Sequence, residues 1–101
     1  MAYESAQFAA NMQAASGGDA SLMAELRGAF ADSVRGQCDL LRRSRCDANW
    51  TTAAHRLKGI GASFHAEELV HLAEEALEGA PGDPVVLRKL DQFASTLSPS
   101  C

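Results

Sequence analysis

The chain reads as an all-α protein, an antiparallel up-down four-helix bundle with a short extra N-terminal helix. Three observations carry this expectation. Aliphatic residues and alanine dominate a hydrophobic fraction of 47%, while aromatics reach only 6%. No run alternates apolar and polar residues with period two, the mark of a half-buried strand. Four amphipathic segments joined by connections of a few residues imply antiparallel neighbours. The 101 residues suffice for one domain with one core. Residues 1–16 form the N-terminal helical segment, 17–97 the bundle and 98–101 a frayed tail.

Residues 2 to 15 are alanine-rich, with Tyr3, Phe8 and Met12 at helical intervals, and Ser16-Gly17-Gly18 ends the segment. It is expected to pack on the end of the bundle. Asp19 or Ser21 is placed to cap the next helix. There Leu22, Leu26, Ala29, Phe30, Val34, Gln37, Leu40 and Leu41 track one face to about Arg43. Arg42, Arg43 and Arg45 crowd its end, where positive charge complements the exposed carbonyls of the last turn. Asp47 is the expected N-cap of the following helix, which runs to about Phe64. Another spans Ala66 to Glu78, with Leu69, Leu72, Ala73, Ala76 and Leu77 inward and Glu67, Glu68, Glu74, Glu75 and Glu78 as a solvated face. Gly79-Ala80-Pro81-Gly82 breaks it. Asp83 followed by Pro84 is a cap-then-proline start. Val86, Leu87, Leu90, Phe93, Ala94 and Leu97 give the last helix its apolar face.

A net charge of −4 argues against a nucleic-acid surface. The three cysteines, Cys38, Cys46 and Cys101, show no C-x-x-C spacing, so reduced thiols are expected rather than a disulfide framework or a zinc knuckle. No window approaches the roughly 18 apolar residues of a membrane span, and Met-Ala-Tyr-Glu-Ser lacks the features of a signal peptide. The expectation is a cytoplasmic protein with no membrane attachment. Four amphipathic helices can close a core within one chain, so a monomer is expected.

The chemistry concentrates in Ala53-Ala54-His55-Arg56-Leu57-Lys58-Gly59-Ile60-Gly61-Ala62. At about 100° per residue, Trp50, Leu57 and Phe64 share one stripe, flanked by Ala53, Ala54, Ile60 and Gly61. His55 lies about 160° from Leu57 and points to solvent if that stripe is core. Around it come Ala48, Thr51, Thr52, Gly59 and Ala62, with Lys58 one turn along. An exposed helix face normally carries long charged side chains. Here the neighbours are cut back so that something large can approach the ring. Glycine inside a helix costs about 1 kcal/mol relative to alanine, so Gly59 points to close access. Five of the nine Lys and Arg residues fall between positions 42 and 58, with Asp47 the only acid among them.

His55-Arg56-Leu57-Lys58-Gly59, followed ten residues on by His65-Ala66-Glu67-Glu68-Leu69, resembles the histidine phosphotransfer domains of multistep phosphorelays, whose pattern is H-x-L-K-G, five residues, then G-A-x-x-L. The likeness extends to Gly18-Asp19-x-x-Leu22-x-x-x-Leu26-x-x-x-Phe30 and through the glutamate-rich helix, covering roughly residues 17 to 97. It implies that His55 takes a phosphoryl group from a receiver-domain aspartyl phosphate and passes it to another receiver. Lys58 matches the lysine near the phosphoryl group, and Gly59 the glycine that leaves room for the partner. Thr51, Thr52, Arg56, Gly59 and Ala62 form the expected docking floor. His65 stands where the family usually has glycine, at a helix end that favours left-handed backbone; histidine visits that region more often than most residues.

The expected partners are receiver domains of response regulators and hybrid sensor kinases. The chain needs no cofactor of its own; magnesium and the acidic pocket would come from the receiver. The protein would be a phosphocarrier rather than an enzyme with independent turnover. An ordinary imidazole has a pKa of about 6.5, so histidine offers a neutral nucleophile near pH 7. Phosphoryl transfer asks mainly for position and charge, and a lysine at i+3 shares the histidine's helix face. Other readings are weaker. His71, beside Glu67, Glu74 and Glu75, is an ordinary surface residue in a weak charge pair, and His55, His65 and His71 lack the i, i+4 spacing of a zinc site. A bundle that binds a kinase or receiver without being phosphorylated stays open. The dimerisation domain of a sensor kinase is disfavoured by the lack of an H-E/D-x-x-x-P box.

Overall fold

The computed structural model describes residues 6–97, so Tyr3, Cys101 and the expected frayed tail lie outside the described residues. Five α-helices and no strand occur among those residues: α1 (Ala6–Ser16), α2 (Ala20–Arg43), α3 (Asp47–Ser63), α4 (Glu67–Glu78) and α5 (Pro84–Ser95). α2 packs on α3 and α5, α4 packs on the same two helices, and α1 lies against α2. None of the helices is long and apolar enough to cross a membrane.

α1 stops where Gly17 and Gly18 take φ of 63° and 83°. Its Phe8 and Met12 are buried. The Phe8 ring lies 5.1 Å from Phe30, which lies 5.0 Å from Phe64, so one aromatic row ties α1 to α2 and to the end of α3. Of the two candidate caps for α2, Asp19 takes the role and accepts a 3.0 Å hydrogen bond from the Leu22 amide. Phe30, Ala31, Val34, Cys38 and Leu41 turn inward. The apolar face of α2 is narrower than the sequence pattern predicts. Leu22 and Leu40 are 41% and 40% exposed, and Ala29 is exposed as well. All three lie about 120–140° round the helix from Val34, on the side that the neighbouring helices leave largely open to solvent.

α3 buries Trp50, Ala53, Ala54, Leu57 and Gly61. Its N-cap is Cys46, with no side-chain cap bond, and not the expected Asp47. Asp47 lies one residue inside, in the first turn, where its carboxylate still faces the positive end of the helix dipole. The indole N–H of Trp50 donates 2.7 Å to the Ala76 carbonyl, pinning the start of α3 to the end of α4. At the other end the chain reverses through Phe64 and His65. The His65 amide donates to the Ala62 carbonyl at 3.3 Å and the Ala66 amide to the Gly61 carbonyl at 2.8 Å. This pair of bonds is a Schellman motif, and it requires the left-handed backbone that His65 adopts, φ 57°.

α4 follows at Glu67 and buries Leu69, Leu72, Ala73 and Ala76. Asp83 caps α5 by accepting 3.0 Å from the Val85 amide, with proline at the first helical position. Val86, Leu90 and Phe93 complete the core. Salt bridges lace the rim: Arg42 to Asp91 at 2.8 Å between α2 and α5, and Lys89 to Glu75 at 3.0 Å between α5 and α4. Exposed pairs of this kind contribute about 0–1 kcal/mol each, so apolar burial carries the stability.

Replacing His65 by glycine relieves the left-handed strain, which is about 1–2 kcal/mol for a side-chain-bearing residue. Glycine's greater freedom in the unfolded chain returns part of that gain. A net stabilisation of roughly 0.5–1 kcal/mol should raise the melting temperature by about 2–8 °C. A thermal melt showing no rise, or a fall, would contradict the assignment of strain to this turn.

Candidate functional site

The outward half of α3 carries Ala48, Thr51, Thr52, His55, Arg56, Gly59 and Ala62, all exposed. The structure therefore brings His55 together with each expected docking residue on one face. Helix geometry explains why. Trp50, Ala53, Ala54, Leu57 and Gly61 must all face inward to fill the space between α2 and α4, which rotates the opposite half to solvent.

The two glycines of this helix serve different ends. A Cβ on Gly61 would meet Val70 Cγ2 at 2.9 Å, the Val70 amide nitrogen at 3.0 Å and the Ala66 carbonyl oxygen at 3.2 Å. Gly61 is the contact that lets α3 and α4 close. A Cβ on Gly59 would meet nothing within 4 Å. No packing among the described residues requires glycine there, yet an alanine would strengthen the helix by about 1 kcal/mol. The vacancy faces outward, one turn beyond the His55 ring.

The two sides of this face differ in charge. Toward α2, Thr52 and Arg56 join Leu40, Arg43 and Asn49 in lining an open groove of about 330 Å³. Arg43 pairs with Asp39 at 3.0 Å, whereas Arg56 forms no ion pair among the described residues. Toward α4, Lys58 Nζ lies 3.3 Å from Glu74 Oε2. Lys58 stands three residues after His55, about 60° round the helix, as the sequence pattern requires. Its ammonium nevertheless engages α4 rather than standing free beside the ring.

Glu74 is thus a site residue that the sequence placed only on a solvated face. Its pairing depends on the register between α3 and α4, which a wheel drawn for either helix alone does not contain. His71 has no ion pair with the neighbouring acids among the described residues; Glu74 goes to Lys58 and Glu75 to Lys89. The other candidate nucleophiles lie off the outward face of α3. Cys38 is buried between α2 and α5, where burial and, secondarily, the Asp91 charge push its thiol up to about 11 despite the opposing effect of Arg42. Cys46 is exposed at the start of α3. His65 lies in the α3–α4 turn and His71 on α4. Among the described residues no group of three His, Cys, Asp or Glu side chains could hold a metal ion.

The contrast between the glycines predicts opposite responses to alanine. Gly59→Ala should stabilise the protein by about 1 kcal/mol. Gly61→Ala should destabilise it by about 1–3 kcal/mol, because Val70 or the helix backbone has to move. Denaturant unfolding of both variants measures this; equal effects would contradict the packing described. No protein-family model matches the chain, and no curated protein or solved structure does either.

Proposed function

We propose that the chain is a histidine phosphotransfer domain, with α2 to α5 forming an antiparallel up-down four-helix bundle and α1 an extra helix on its end. His55 accepts a phosphoryl group from an aspartyl phosphate of a receiver domain and passes it to another receiver. The single observation that carries this proposal is the bare surface around the ring: an exposed imidazole beside a glycine that packing among the described residues does not need.

The chemistry asks little more of the protein. A lone pair on an imidazole nitrogen attacks phosphorus in line, the N–P bond forms as the aspartyl O–P bond breaks, and the receiver's carboxylate leaves with the electron pair. Such a transition state is loose, so positioning and charge neutralisation supply most of the rate. The rigid α3 supplies position. Lys58 supplies charge on the face shared with His55, and the receiver's magnesium would supply more. Thr51, Thr52, Gly59 and Ala62 let the partner's active site reach the ring, and Arg56 meets its acidic rim. Electrostatic complementarity of this kind governs encounter and orientation more than affinity. The partners are receiver domains of response regulators and hybrid sensor kinases, met by a monomer in the cytoplasm.

One observation favours a second reading. The pairing of Lys58 with Glu74 draws the i+3 ammonium away from the ring, as suits a module that binds a receiver or kinase without being phosphorylated. Binding that survives loss of His55, with no label on the wild type, would mark that module.

The test uses phosphorylated receiver domains from the same cell as donors. The wild-type protein should take up an acid-labile phosphate. His55→Gln should stay folded, because the ring is exposed and loses no packing, and should take up none. Labelling of that variant at the wild-type level would overturn the assignment.

A further inference from the structure

We propose that Glu74 is a positioning residue for the phosphoryl group on His55: it holds the Lys58 ammonium on α4 and sets how much of that charge the phosphoryl group receives. This deepens the phosphocarrier proposal and rests on it. The Lys58–Glu74 pair spans 3.3 Å between side chains that are 43% and 47% exposed. The bond is therefore weak enough to exchange, and it joins the reactive helix to its neighbour at the edge of the reactive face.

The surroundings give Lys58 two competing anions. On the α4 side, Glu67, His71, Glu74 and Glu78 recur at helical spacing along one exposed stripe. Lys58 reaches this stripe at Glu74, while the lysine of α5, Lys89, is engaged with Glu75. On the outward side, a phosphoryl group on the ring would carry about 1.5 to 2 negative charges on three acceptor oxygens, by analogy with other phosphorylated side chains. A lysine at i+3 can reach it. When the N–P bond forms at His55, Lys58 exchanges its carboxylate partner for phosphoryl oxygens. No proton or covalent bond changes at Glu74 or Lys58; only the ion pair moves. The carboxylate left behind competes for the ammonium and moderates the stabilisation it gives. Glu74 thereby tunes how readily the group is taken up and given away, which a carrier must do in both directions.

The effect is measurable without any partner. In a His65→Gly, His71→Gln background, His55 is the remaining histidine of the three. Potassium phosphoramidate then phosphorylates the ring: the imidazole nitrogen bonds to phosphorus and ammonia leaves. Phosphorus NMR follows the titration of the phosphohistidine. A nearby cation favours the dianion and lowers its pKa, so Glu74→Gln, by releasing Lys58, should raise the acid dissociation constant by about two- to fivefold, the span open to a half-exposed ion pair. The change should vanish when Lys58→Met is also present, since the cycle isolates what passes through the lysine. The same change in both backgrounds, or none in either, overturns the inference while leaving His55 as the phosphoacceptor. No phosphohistidine signal at all overturns both. Transfer from phosphorylated receivers, measured separately, decides the carrier function itself.

Discussion

The approach of α3 to α4 at Gly61 is the constraint on which the rest of the structure depends. Val70 and the Ala66 carbonyl occupy the space that any side chain at position 61 would need. Small residues continue the contact away from the turn, with Ala53, Ala54, Ala73 and Ala76 all buried. Trp50 closes the far end through its bond to the Ala76 carbonyl. Between these two fixed points the register of the helices has no freedom to slip by a turn. That register brings Lys58 opposite Glu74, and it commits one half of α3 to the core and the other to solvent.

The left-handed residue at His65 serves the same end. The Schellman bonds satisfy the last carbonyls of α3 and turn the chain sharply enough for α4 to begin two residues later. Phe64 is left partly buried against Phe30, so the turn is packed as well as hydrogen-bonded. The face of α3 that results is bare in the middle, cationic toward α2 and anionic toward α4. A partner with an acidic site has a preferred orientation on such a surface: its acids toward Arg43 and Arg56, and away from the Glu67, Glu74 and Glu78 stripe. Under the proposed phosphotransfer function such orientation matters, because in-line transfer tolerates little misplacement.

Much of this was legible in the sequence, for local physical reasons. Period placed the helices, and the Asp19 cap, the Asp83-Pro84 start and the Gly17-Gly18 stop fall where the structure has them. The exposed ring of His55 followed from the wheel of α3 alone, and the left-handed turn at His65 followed from its place beyond the last helical residue. Features set by neighbouring helices were not legible. Leu22 and Leu40 look inward in a list of apolar residues, but whether a neighbour covers a position about 120° from the core axis depends on where that neighbour lies. Gly61 looks like one more small flank residue until Val70 is placed against it. The Cys46 cap is not legible because Asp47 is the better capping residue type, yet it lies one position inside the helix, in the first turn. Nor is the role of Glu74, because an ion pair between helices is written in their register rather than in either helix.

The central claim is that the outer face of α3 is left bare so that another protein's active site can reach His55. The most direct measurement is an amide-shift titration of isotope-labelled protein with phosphorylatable receiver domains from the same cell. The account predicts a footprint centred on Thr51, Thr52, His55, Arg56, Gly59 and Ala62 and spreading toward Arg43 on α2. A footprint confined to α1 and α5, with the His55 face unperturbed by every receiver that binds, would contradict it.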